Sequence, residues 1–318
     1  MRIKELFDFI IEEGINEDPR GKESVMKELS LKKAQYDTLP KEEKERFDKE
    51  SLTNPYIDSR ILSIGDNPDI KGILVGIDID TAELLLAERL KEKGKRIDMV
   101  LSHHPAGRSY VNFYEVMYMQ SEILSRFGVP INVAEDLLQK RKEEVERKVM
   151  PANHFKTTDA ANLLDIPFMN AHTPADNHVA TFLQKIFDRE SPLFVKDIID
   201  MLCSIPEYKR ALHDGNGPKI VIGDKKRKAG KVFVDMTGGT EGSAEIFKNL
   251  SNAGIGTIVG MHFSQQHCNN AKDSHINVVI AGHMASDSLG LNLLLAKVRK
   301  KFSALQVIPC SGFYWQER

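Results

Sequence analysis

"KGILVGIDIDTAELLLAERLKEKGKRIDMVLSHH", residues 71–104, decides the fold. A β-rich run over 71–80 leads into a segment with helically spaced Leu and Ala. That segment has a Thr at its head, a Glu two positions on and a Gly at its end, which are helix start and stop signals. "RIDMVL" (96–101) reads as a second strand. Strand, helix and strand make a β–α–β unit whose strands run parallel and whose carboxyl ends form one functional edge. His103 and His104 stand at that edge. Neighbours within a strand point to opposite faces, but at a strand end that turns through "PAG" (105–107) both rings can face one site.

A similar unit recurs near the C-terminus. "KVFVDMTGG" (231–239) reads as a strand, "TEGSAEIFKNLSNAG" (240–254) as a helix, and "IGTIVGMH" (255–262) as a strand ending in His262. The spacing from Asp78 to His103 is nearly that from Asp235 to His262, which predicts two related α/β halves. Between them, "GVPINVAEDLLQKRKEEVERKV" (128–149) reads as a strand and a long charged helix. "PFMNAH" (167–172) is a further strand, and the segment from Thr173 opens a helix. Residues 213–230, rich in Gly and charge, mark an internal boundary or a β-hairpin. The expected organisation is a helical N-terminal extension over 1–65, a first α/β lobe over 66–212 and a second over 213–318. "KEEKERFDKE" (41–50), with nine charged residues of ten, reads as a solvated surface helix or an oligomer contact.

Composition narrows the class. The 318 residues are 41% hydrophobic and 28% charged, and 44 basic against 46 acidic side chains leave a net charge of -2. That balance offers no field for nucleic acid and no basic amphipathic segment for a membrane surface. Cys203, Cys268 and Cys310 are far apart, which fits neither a disulfide framework nor a thiolate zinc site. The N-terminal stretch is a helical stripe broken by acids, not a signal peptide or span. A cytoplasmic protein is expected.

Three apolar strands end in the same chemistry: "VLSHH", "FMNAHTPADN" and "VVIAGHMASD". Each delivers a His at the carboxyl end, and two add an Asp four residues later, His172/Asp176 and His283/Asp287. Imidazole and carboxylate donors without thiolates suit Zn, Mn, Fe or Ni. There are more candidates than one ion needs, and bridging carboxylates can hold two ions about 3.5–4 Å apart. Each Asp also has an ordinary local reading, Asp176 as a helix cap and Asp287 as a first-turn acid favoured by the helix dipole.

With these motifs in this order over about residues 70–300, the chain resembles the family of interacting factor three of the yeast NGG-one protein. Its members are often labelled GTP cyclohydrolase I type 2 homologues. The resemblance implies a two-lobed α/β fold, two divalent metal ions in a cleft between the lobes at the strand carboxyl ends, and a toroidal homohexamer. By position it places metal ligands on His103, His104, Asp176, His283 and Asp287, with His172 beside the site. Asp287 is a departure, because the family usually has Glu there. His172 and His262 are assigned acid–base or supporting roles. Asp78 and Asp80, at the first strand-to-helix turn, either orient a ligand histidine or cap the helix. The Gly-rich loop 235–243 offers backbone N–H groups to an anion, and Arg108 is a candidate phosphate partner.

Two functional readings follow. One is a metal-dependent hydrolase acting on a small molecule, either GTP, as the family label suggests, or another nucleotide-like or phosphoester substrate. The other is a metal-binding scaffold or regulator without turnover, working through protein contacts that include the N-terminal extension.

Overall fold

The computed structural model describes residues 1–303 and 305–318. Among the described residues, nine strands are arranged in two sheets. The first contains β1 (Ile61–Ser63), β2 (Gly72–Gly76), β3 (Met99–Ser102), β4 (Phe168–Asn170) and β9 (Gln306–Cys310), in the order β1-β4-β3-β2-β9. The second contains β5 (Lys219–Ile222), β6 (Lys231–Asp235), β7 (Ile255–Gly260) and β8 (Asn277–Ile280), in the order β5-β8-β7-β6. In each sheet the first-listed strand is antiparallel to its neighbour, and the next three are parallel. The two related halves expected from the sequence are thus the same strand order used twice.

Both β–α–β units form with parallel strands. β2 and β3 are buried throughout, which explains their continuous apolar sequences. The helix Thr81–Glu92 is capped by Asp80 rather than by the Thr at its head, with Glu83 closing the capping box.

Four expectations are corrected. Residues 128–130 form no strand, because Pro130 leads directly into the helix Ile131–Val149. Residues 240–254 are helical only from Ala244, as a 3-10 turn followed by Phe247–Asn252. Gly238 and Gly239 have φ of 89° and 87°, a backbone that does not continue into a helix. β5 and β6 lie on opposite edges of their sheet, so residues 213–230 are not a hairpin. Finally, the C-terminal segment is not confined to the second half, since β9 pairs in parallel with β2.

Residues 1–65 are largely helical, but they are not an appendage. Ile3, Leu6, Phe7, Ile10, Ile11 and Ile15 of the helix Ile3–Asn16 are all buried in the main core. At about 1.5–3 kcal/mol for each fully buried side chain, this stripe anchors the segment. It rests against the helices Thr173–Glu190 and His283–Lys301. No helix among the described residues is long and apolar enough to cross a membrane.

Candidate metal centre

The carboxyl ends of β3, β4 and β8 converge. The β3 ladder continues past its end, with His103 N donating to Gly76 O and His104 N to Ile77 O. Ser102 Oγ donates to His104 O at 2.8 Å. This turn brings the two rings together, 5.1 Å apart between centroids. His172 caps the helix Thr173–Glu190, and His283 opens the helix His283–Lys301. In each helix the following Asp lies one turn on, beneath its His. The two helices approach closely where a Cβ on Gly290 would stand 2.4 Å from Ala175 O. The first turn of one helix therefore lies against the second turn of the other.

The resulting cluster lacks a partner. His103 Nε2 lies 3.4 Å from Asp176 Oδ1 and 3.5 Å from Asp287 Oδ1. Asp287 Oδ2 lies 3.6 Å from His104 Nε2 and 3.5 Å from His283 Nε2. A charge-assisted hydrogen bond would close to about 2.7–2.9 Å. Two donors each about 2.0–2.2 Å from a tetrahedral ion stand about 3.3–3.6 Å apart, and the observed spacing matches this. His103 Nε2, Asp176 Oδ1 and both oxygens of Asp287 are buried without hydrogen-bond partners. Leaving that many polar atoms unsatisfied is costly, unless an ion completes them. Buried His and Asp groups here can hold a metal ion. The capping role for Asp176 does not apply, because His172 is the N-cap and Asp176 lies inside the first turn.

The far nitrogens are also fixed. His103 Nδ1 meets the Ala171 carbonyl at 3.1 Å, His104 Nδ1 meets Asp78 Oδ1 at 2.7 Å, and His172 Nδ1 meets Asp58 Oδ2 at 2.8 Å. Each acceptor takes an Nδ1–H, which turns the Nε2 lone pair inward, the usual support of a metal-ligating imidazole. Asp78 and Asp80 thus divide the roles expected of them, one orienting His104 and the other capping a helix.

The electrostatics follow from the crowding. Burial disfavours a charged His103, but Asp287 and Asp176 outweigh it and hold the imidazolium well above its ordinary range. Burial likewise opposes the charge of Asp287, and His103 with its neighbours holds the carboxyl far below its ordinary value. Burial lowers His283. Metal binding must displace the His103 proton, so affinity weakens in acid.

One side of the cluster opens to a cavity of about 340 Å³. The side chains of His104 and His283 are 24% and 39% exposed, against 1% for His103 and 0% for Asp287. Tyr110, Phe113, Met236 and Met261 form apolar wall, and no Lys or Arg among the described residues lines it. His262 also lines it, its ring tilted against that of His283 with 4.9 Å between centroids and its Nδ1 3.5 Å from Glu241 Oε2. The Glu241 carboxylate beside it raises the His262 pKa. Asp235, on the same wall, is pushed up to about 6 by burial and by Glu241.

The sequence singled out the 235–243 loop but not Glu241 as a partner for His262. Gln120 Nε2 pins the loop by donating to the carbonyls of Gly238 and Thr240, and the helical turn that follows it from Ala244 does not line the cavity. Arg108 is elsewhere, paired with Glu50 at 2.6 Å, so it is no phosphate partner at this site.

His178 is an ordinary core histidine. Its Nδ1 donates to Pro174 O at 2.7 Å, and burial lowers its pKa to about 4. The unfolded chain, with an ordinary value near 6.5, takes up this proton first. Stability is therefore lost as pH falls from about 6.5 to 4, by up to roughly 3 kcal/mol. In thermal melts, the wild type should lose its advantage over a His178→Asn variant between pH 7 and pH 5. A difference that stays constant with pH would refute this.

No family model matches the chain, and no curated protein matches it. Solved structures do. A NIF3 superfamily protein from Sphaerobacter thermophilus superposes with a TM-score of 0.75 at 26% identity, covering 98% of each chain. Reduced HcgD from Methanocaldococcus jannaschii gives 0.44 at 14% identity, covering 76% of this chain and 84% of its own. A Staphylococcus aureus hypothetical protein gives 0.43 at 14%, covering 80% and 89%. The family resemblance read from the motifs is borne out by the first of these, and its coverage takes in nearly all of residues 1–65.

Proposed function

We propose that this chain, which has the NIF3 superfamily fold, is a dinuclear metal-dependent hydrolase of a small nucleotide-like or phosphoester substrate. The observation that carries the reading is Asp287, whose two unpartnered oxygens face different imidazoles, Oδ1 that of His103 and Oδ2 those of His104 and His283. Oδ1, with His103 and Asp176, would hold an enclosed ion, and His172, read from the sequence as an acid–base or supporting residue, would join them as a ligand. Oδ2, with His104 and His283, would hold a second one beside the cavity. Two such ions supply Lewis-acid polarisation of an electrophile and activation of water.

The chain's own residues do the rest. Tyr110, Phe113 and the two methionines hold the apolar part of the substrate and exclude water. With no Lys or Arg among the described residues of the wall, substrate anions are left to the metal side of the cavity. His262, oriented by Glu241, stands where it can give a proton to a leaving group.

The test is metal content of protein purified without chelator, followed by turnover of GTP and a phosphoester panel by the metal-loaded form. About two ions per chain and metal-dependent turnover are expected. His262→Ala should retain the metal and lose roughly 10²–10⁴-fold in kcat. Full metal without turnover of any substrate would leave a metal-binding scaffold, and absence of stoichiometric metal would remove the reading.

A further inference from the structure

Residues 1–65, to which the metal motifs assign nothing, reach the centre at one point. The loop between Thr53 and Arg60 lies over the end of β4 and is fixed by its own polar groups. Asn54 Nδ2 donates to Ser59 O at 2.9 Å, and Tyr56 N donates to Asn54 Oδ1 at 2.8 Å. The Tyr56 hydroxyl donates to Asp18 Oδ2 at 2.8 Å, and Asn170 Nδ2 donates to Asp58 O. Asn177, next in sequence to Asp176, joins the same network through Tyr56 and through Thr237 of the cavity wall.

At the tip of this loop is Asp58, fully buried. Its Oδ2 accepts from His172 Nδ1 at 2.8 Å and from Thr173 Oγ1 at 2.7 Å. Ser59 Oγ takes the His172 backbone N–H at 3.0 Å. His172 is thereby held by ring and backbone together. Its Nε2 points to the cluster, 3.7 Å from Asp176 Oδ2, with 4.9 Å between the His103 and His172 ring centroids.

A loop that only needed a hydrogen-bond acceptor could use a neutral one, as His103 uses the Ala171 carbonyl. A buried carboxylate is costly to place, and what it adds is basicity at the far nitrogen of the ring it holds. We infer that Asp58 is a positioning residue of the metal centre, supplied by the N-terminal segment, which commits His172 as a ligand of the enclosed ion. This rests on the metal reading above.

The experiment is metal affinity by competition with a chromophoric chelator, and the absorption spectrum of the Co(II)-loaded protein, for wild type, Asp58→Ala, Asp58→Asn, His172→Ala and the Asp58→Ala, His172→Ala double variant. Asp58→Ala should weaken the tighter ion about 10–100-fold and shift the Co(II) bands. Asp58→Asn, which keeps an acceptor, should recover part of that loss, and it carries the test alone if the alanine variant does not fold. In the His172→Ala background, Asp58→Ala should have no further effect, because Asp58 acts through that ring. Unchanged affinity and spectrum in the single variants, or an equal loss with and without His172, would overturn the inference while leaving the metal reading intact. A wild type that binds no metal would instead defeat the metal reading itself.

Discussion

A His103→Ala, His104→Ala double variant is expected to purify without stoichiometric metal and to stay empty after reloading with Zn, Mn or Fe. The two rings arrive from one strand end, but their Nε2 atoms face different oxygens of Asp287. One double substitution therefore takes a ligand from each proposed ion. A structural zinc site of four ligands is worth roughly 10–16 kcal/mol, or about 3 kcal/mol per ligand. Each ion then loses about 3 kcal/mol, more than ~100-fold in affinity. The buried carboxylates left behind have fewer partners, which adds to the loss. Elemental analysis beside the wild type reads the result. Wild-type occupancy in the double variant would mean that these histidines serve packing or partner binding, and the hydrolase reading would go with them.

Asp287→Asn should have an effect as large from a single atom change. Asp287 is fully buried and both its oxygens lack hydrogen bonds, so no hydrogen bond of the fold depends on its carboxylate. An amide keeps one acceptor and turns an N–H donor toward imidazole nitrogens that already need their lone pairs for a metal. Both ions should weaken together, each by ~10²-fold or more. His103→Ala alone should mainly affect the enclosed ion, and His104→Ala alone the one beside the cavity. Co(II) titration of the three single variants separates these patterns. If Asp287→Asn lost one ion and kept the other at wild-type affinity, the bridging arrangement would be wrong.

What could be read from the sequence is local. The paired histidines and the two His-x-x-x-Asp segments each lie within one strand end or one helical turn, so spacing alone brings their side chains together. The parallel units could be read for the same reason, from apolar runs separated by a capped helix. Asp58 could not be found that way. It sits in an irregular loop without periodicity, and His172 is reached only because β1 lies beside β4. Glu241 was hidden by the glycines before it, since the loop they open looks like the start of a helix. Arg108 misled in the opposite direction. It is close in sequence to the histidine pair, but the chain turns at Gly107, with φ 54°, and carries it away. Proximity along the chain predicts contact only where the backbone stays regular.

The pairing of β9 with β2 has a consequence for the birth of the molecule. Gly72 and Gln306 are register partners, so one edge of the first sheet stays open while everything between them is being synthesised. An exposed parallel edge is a place for wrong pairing, and parallel contacts between distant residues form slowly. The first half therefore cannot finish on the ribosome and wait for the second, as successive independent domains would. Its last strand leaves the exit tunnel only after the second sheet has been made. The candidate metal centre, which draws on β3, β4 and β8, is thus assembled in a chain whose two halves complete each other only once β9 has been made.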